Sequence, residues 1–220
     1  KYTDKFILLT DAMNERIQAA ENDYVVMEGI APEPFEDNTK KFADKTMLYT
    51  GGLAETYGVV ELCEAFHRTA DPGYRLILCG SGQAEEKVKH YAKMDRRISY
   101  LGLIERLEAR KLQRQASVLV NPRRDEGAFT AYSFPSKILE YMSSGTPVMM
   151  RKLKGIPAEY MNYCYPIGSD GIEGFSAAID SVLSKSQDEL TAFGAAAQQF
   201  VTREKSAQRQ GEKLLRLLED

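Results

Sequence analysis

The sequence predicts an α/β fold, a doubly wound and mostly parallel sheet covered by helices on both faces. Three observations carry this. From Thr46 onward, short apolar runs alternate with amphipathic stretches of helical period, the pattern of a parallel sheet buried on both sides. The first two runs end in glycine-rich turns, Gly51-Gly52 and Gly80-Ser81-Gly82, at the carboxyl ends of strands where ligands of such sheets collect. Residues 131–150, AYSFPSKILEYMSSGTPVMM, read in succession as a loop, a helix and a buried strand.

In chain order, a strand over Phe6–Thr10, a polar helix over Asp11–Glu21 and a strand over Tyr24–Met27 come first. Residues 31–45, APEPFEDNTKKFADK, are rich in proline, charge and turn formers, and read either as an interdomain linker or as a long surface loop of one compact domain. Strands follow at Thr46–Thr50, Tyr74–Cys79, Ile98–Leu101, Ser117–Asn121, Pro147–Met150 and Tyr163–Pro166. Helices are expected at Gly58–Arg68, Ala84–Lys93, Arg106–Gln115, Phe134–Ser144 and Ile172–Ser184. After Tyr163 the chain is largely helical, with Leu190, Phe193, Phe200, Leu214, Leu215 and Leu218 as packing residues. The sheet domain spans residues 46–201, and residues 202–220 form a C-terminal helix.

The bounds of the central helix come from its ends. Pro135 fits a first turn, where its absent N–H is not needed, and Gly145 suits the left-handed position after the last turn. Ile138, Leu139 and Met142 share one face and are expected to pack; Ser136, Lys137, Glu140 and Ser144 share another. A helix start offers N–H groups and the positive end of the macrodipole, and Lys137 adds a full charge, so phosphate suits this end. Glu140, one turn deeper, is placed to accept hydrogen bonds from sugar hydroxyls; alternatively Lys137 and Glu140 are a solvated ion pair on an ordinary surface helix.

Composition narrows the function. With 29 basic and 32 acidic residues the net charge is −3, which gives no cationic field for nucleic acid, so any phosphate site is local. A content of 43% hydrophobic residues is ample for a core. Cys63, Cys79 and Cys164 lie in apolar runs without C-x-x-C spacing and read as buried free thiols, which fits a reducing cytoplasm. His67 and His90 sit in charged helical contexts, and there is no D-x-D pair, so no metal site and no cofactor are expected. No apolar run approaches the ~20 residues of a membrane span. The glycines at 51 and 52 serve either a diphosphate or the turn alone, as do Gly80 and Gly82; the spacing is not a G-x-G-x-x-G fingerprint, which disfavours NAD. The charged loop NPRRDEGAFTAY, residues 121–132, stands at a strand's carboxyl end, where chemistry concentrates in this architecture, or is a solvated loop.

The run FTAYSFPSKILEYMSSGTPVM resembles the nucleotide-sugar site of GT-B glycosyltransferases, especially glycosyltransferase family 4, tightly over this motif and loosely over residues 45–150. The resemblance implies the Rossmann-like C-terminal half of a GT-B fold. Glu140 then matches the second Glu of the family's Glu, seven residues, Glu motif and holds the donor ribose. The first Glu falls on Tyr132, which leaves Glu126, or Asp125, to stand beside the transferred sugar. The family's first loop supplies an Arg and a Lys to the diphosphate; here those positions are Gly52 and Tyr57, so Gly51, Gly52, Ser136 and Lys137 are left to meet the phosphates, with Arg123 or Arg124 helping. Leu103 and Ile104 lie where the base is met.

The same likeness, in FILLTDAMNERIQ and VVMEGIAPE, implies that residues 1–30 are the end of an N-terminal acceptor domain and that Ala207–Glu219 packs back toward them. The implied function is donor binding in a cytoplasmic or membrane-peripheral retaining glycosyltransferase. Its partners would be a UDP- or GDP-sugar and a glycan or lipid-linked hydroxyl acceptor, in glycan or polysaccharide synthesis. Two alternatives are a sugar-nucleotide epimerase of the same architecture and a silent nucleotide-binding module.

Overall fold

The computed structural model describes residues 3–34, 39–168 and 171–219, so residues 35–38 of the expected linker lie outside the described residues. Six parallel strands form the main sheet: β3 (Lys45–Thr50), β4 (Tyr74–Cys79), β5 (Ile98–Tyr100), β6 (Val118–Asn121), β7 (Val148–Met150) and β8 (Cys164–Pro166). Ahead of them β1 (Phe6–Leu8) and β2 (Tyr24–Val26) pair in parallel as a separate two-stranded sheet. The order β5-β4-β3-β6-β7-β8 is that of a Rossmann-like sheet, with its reversal between β3 and β6. Central strands read as unbroken apolar runs because both faces are covered: every residue of β6 and β7 is buried.

The cover comes from α2 (Val59–His67), α3 (Glu85–Met94), α4 (Arg106–Gln115), α5 (Lys137–Ser143), α6 (Gly171–Leu183), α7 (Gln187–Glu204) and α8 (Ala207–Glu219), which follow the short α1 (Asn14–Ile17). Side chains alternate across the strands, so Met47 and Tyr49 enter one core with Phe66 and Ile179, while Leu48 enters the other with Ile138, Met142 and Phe200. The three cysteines are buried and free. Among the described residues, no helix is long and apolar enough to cross a membrane.

Two elements differ from expectation. The helix over Asp11–Glu21 is cut to a 3-10 turn at Asp11–Met13 followed by α1, and Gln18 takes a left-handed conformation with φ 57°. Asn14 is the cause: its Oδ1 accepts from Ala19 N–H at 2.8 Å and its Nδ2 donates to Ala19 O at 3.1 Å, replacing helix bonds. The central helix begins at Lys137 rather than Phe134, because Pro135 and Ser136 form a tight turn in which Ile138 N–H reaches Pro135 O at 2.9 Å.

Residues 28–31 are fastened to the start of α8. Ala31 N–H donates to Lys205 O at 2.8 Å, and Gln210 Nε2 donates to Gly29 O at 3.1 Å. Lys205 and Glu28, both buried, form an ion pair, completed by the Tyr160 hydroxyl on Glu28 at 2.9 Å and by Glu159 on Lys205 at 2.7 Å.

Candidate functional site

The site is built where the strand order reverses. Loops after β3, β4 and β5 are zipped together there: Gly51 N–H donates to Cys79 O at 3.0 Å, and Gly80 N–H to Gly102 O at 2.7 Å. A Cβ at Gly80 would run into the Gly51 carbonyl, so Gly80 is required by this close approach of backbones.

Tyr141, on the buried face of α5, sets the distance from that helix to β3. Its hydroxyl receives Thr50 N–H at 2.8 Å and donates to Thr50 O at 3.0 Å. One turn back, this brings Lys137 over the sheet end. Its Nζ lies 4.2 Å from the centroid of the Tyr49 ring and donates to the Tyr49 hydroxyl at 3.2 Å, while that hydroxyl donates to Gly52 O at 2.7 Å. The ammonium is thus supported by an aromatic face. Burial, with Arg123 nearby and against the pull of Glu140, brings its pKa down to about 8.

Glu140 is half-buried and is held by Gln113, whose Nε2 donates to its Oε1 at 2.6 Å. Gln113 is itself buried and also reaches Thr50 Oγ1 at 3.3 Å. One carboxylate oxygen is therefore oriented by the protein, an arrangement that fixes the other for a hydroxyl partner.

Two adjoining cavities receive these groups. The first, of about 300 Å³, is lined by Gly51, Gly52, Gly80, Leu103 and Ile104 among others, with Leu103 exposed and Ile104 half-buried. The second, of about 260 Å³, is lined by Gly52, Tyr57, Asn121, Arg123, Ser136 and Lys137 among others. Gly52 belongs to both, so six of the expected residues, Gly51, Gly52, Leu103, Ile104, Ser136 and Lys137, line two cavities that meet at this glycine. Glu140 stands behind them on α5.

Glu126 is placed elsewhere. It is exposed, bonded to Arg124 at 3.0 Å, and lines a neighbouring cavity of about 540 Å³ with Glu61, Arg124 and Arg151. Asp125 accepts a hydrogen bond from Thr130 Oγ1 and so shapes the loop. Tyr132 lies under the Arg16 guanidinium, 5.0 Å from its ring centroid. Among the described residues, no three His, Cys, Asp or Glu side chains gather as a metal site would need. His67 meets Asp95 at 3.0 Å on the helix-covered side.

Sequence reasoning did not find Gln113, Tyr49 or Tyr141 as parts of the site. Gln113 is one polar residue in the strongly charged helix RLEARKLQRQ, and the two tyrosines carry the apolar pattern of core residues; no local signal marks any of them.

Comparison with known proteins agrees with the fold. Residues 44–185 match the family described as Glycosyl transferases group 1. Comparison with curated proteins gives no match. Among solved structures, a TarM mutant of S. aureus in complex with Fondaparinux, alpha-GlcNAc-glycerol and UDP superposes with a TM-score of 0.75 at 18% identity, over 99% of this chain and 44% of that one. HepE from Anabaena in complex with UDP and glucose gives a TM-score of 0.68 at 15% identity, over 96% of this chain and 63% of that one. The C-terminal domain of LpcC from Francisella tularensis gives 0.60 at 18% identity, over 80% of this chain and 97% of that domain. The chain thus spans about half of the TarM chain and under two thirds of HepE, but nearly all of the isolated LpcC domain.

Proposed function

The chain belongs to the glycosyl transferases group 1 family, and from that premise we propose that it is the donor-binding domain of a retaining, family-4-like enzyme that transfers a sugar from UDP or GDP to a hydroxyl acceptor. The observation that carries the reading is Lys137: a half-buried ammonium seated on the Tyr49 ring, at the start of α5 and facing the Gly51–Gly52 turn. Glycine backbone on one side and a helix start with a cation on the other form a cradle for a diphosphate. The neighbours crystallised with UDP support the nucleotide class.

In this reading the acceptor oxygen bonds to the anomeric carbon as the bond from that carbon to the nucleoside diphosphate breaks, and the acceptor's proton passes to the departing phosphate oxygen. Lys137 and the N–H groups at the helix start meet the charge that develops on the leaving oxygen. Glu140, oriented by Gln113, takes the ribose hydroxyls. Leu103 and Ile104 border the base, and Glu126, in the adjoining cavity, is the carboxylate nearest the transferred sugar. The scheme requires no divalent metal. A glycan or lipid-linked acceptor is held by a further domain, and the protein works in the cytoplasm or at the membrane surface in glycan or polysaccharide synthesis.

Product analysis tests the reaction. A protein that carries this domain together with an acceptor-binding domain, incubated with labelled UDP- and GDP-sugars and candidate acceptors, is expected to give a transferred sugar with retained anomeric configuration. An epimerised nucleotide sugar, or no turnover of bound nucleotide sugar, would replace the reading with an epimerase or a silent binding module.

A further inference from the structure

We propose that Arg123, held against the rings of Tyr57 and Phe129, is the diphosphate-binding cation that the first glycine loop does not supply. This rests on the donor-binding reading above and names how this chain meets the phosphates.

The argument begins with neighbours in sequence that part in space. Arg124 is consumed by acids: its Nε donates to Glu61 at 2.6 Å and its Nη1 to Glu126 at 3.0 Å, and it lines the cavity away from Lys137. Arg123 turns the other way and lines the same cavity as Lys137, Ser136 and Gly52. Its guanidinium carbon stands 5.6 Å from the Tyr57 ring centroid and 5.3 Å from that of Phe129, and its Nη2 donates to Ser133 Oγ at 3.4 Å. Cation–π contact with two rings holds the guanidinium in place and leaves donors free for an anion.

The lining of this cavity is one-sided. No carboxylate lies among its lining residues, yet Arg123 and Lys137 both do, close enough that Arg123 contributes to the lowered pKa of Lys137. Two cations sharing one acid-free space repel each other until an anion enters. Asn121 supplies an independent sign. It lines the cavity, is 3% exposed, and its buried Nδ2 has no hydrogen-bond partner among the described residues. A buried amide donor without an acceptor is costly and calls for one. Two cations around about 260 Å³ suit phosphate oxygens, with the unpartnered Asn121 amide buried in the wall behind them. Tyr57 explains the exchange: at a position where the likeness expects a cation, this chain has the ring that holds one.

Calorimetry on the 220-residue chain tests this with UDP and GDP, and ligand-observed NMR with uridine and guanosine. Arg123→Gln is expected to weaken the preferred nucleoside diphosphate by about tenfold to a hundredfold, with the nucleoside unaffected. Tyr57→Ala should lose part of this, and Arg123→Lys should not restore it, because an ammonium lacks the guanidinium's fork of donors. Arg124→Gln should stay within about twofold of the parent. Unchanged diphosphate affinity in Arg123→Gln, an equal loss for the nucleoside, or an equal loss in Arg124→Gln would overturn the assignment. If Lys137→Met loses affinity while Arg123→Gln does not, only this inference fails. If the parent chain binds neither UDP nor GDP, the donor-binding reading itself fails.

Discussion

Gly51 and Lys137 occupy touching space: a Cβ on Gly51 would overlap Lys137 Nζ, and Gly51 holds a φ of 146° that side chains rarely adopt. The glycine therefore serves the lysine as much as the turn. Gly51→Ala is expected to lower stability by about 1 kcal/mol through backbone strain and to push the ammonium off the Tyr49 ring. Calorimetry should show UDP or GDP affinity reduced by about tenfold or more, as for loss of a charge-assisted contact. A variant that melts lower yet binds as the parent does would show that Lys137 keeps its place without the glycine.

The lowered pKa of Lys137 makes binding depend on pH. In the free protein the ammonium loses its proton near pH 8. A bound diphosphate favours the charged form and keeps its own charge throughout this range, since the phosphate's second pKa is near ~6. Affinity should accordingly fall as pH rises through about 8, by roughly tenfold or more at about pH 9.5. Lys137→Met should bind weakly at every pH, with this dependence gone. The sign for stability is opposite: between the folded pKa of about 8 and the ordinary lysine value of 10.5, the unfolded chain binds more protons, so the Lys137 contribution to stability rises with pH. Equal slopes in parent and variant would assign the titration to another group.

In the proposed reading, Glu140 and Gln113 form the ribose half of the site. Glu140→Gln should weaken nucleoside diphosphate by about tenfold while leaving inorganic pyrophosphate unaffected, since only the hydroxyl contacts are lost. Gln113→Ala should reproduce part of this through disorder of the Glu140 carboxylate, as its 2.6 Å bond is removed. Competition titrations with pyrophosphate separate the two ligands, and an equal loss for both would remove the ribose role.

The buried pair of Glu28 and Lys205 ties residues 28–31 to the last helix. Burial alone would raise the Glu28 pKa; the Lys205 ammonium overcomes this and holds it low. Lys205→Met leaves that carboxylate buried and unneutralised and should destabilise the chain by about 3–5 kcal/mol. The double variant with Glu28→Gln should recover much of the loss. Denaturant titrations check both, and a single variant as stable as the parent would show that the pair carries no weight.

How far the sequence could be read follows from what each residue answers to. The main strands were legible because β6 and β7 are buried on both faces, and only continuous apolar runs satisfy that. The motif residues Gly51, Gly52, Ser136 and Lys137 were legible because a glycine turn and a helix start carry local signals. Asn14 was not, since ending a helix with a side-chain bond to Ala19 is one of several things an asparagine can do. Tyr49 and Tyr141 look like core residues and are; that their hydroxyls also set the place of Lys137 and Thr50 depends on contacts across the sheet. The choice between Arg123 and Arg124 is likewise tertiary, being made by Glu61 on α2.

The central claim is that one nucleoside diphosphate lies between the Gly51–Gly52 turn and the start of α5. An electron-density map of this chain soaked with UDP- and GDP-sugars tests it most directly. The account predicts density with the diphosphate within hydrogen-bond reach of Lys137 Nζ and the ribose on Glu140, the base lying toward Leu103 and Ile104. A well-ordered nucleotide seated in any other cavity, or full occupancy with Lys137 still on Tyr49 and out of reach of the phosphates, would contradict it.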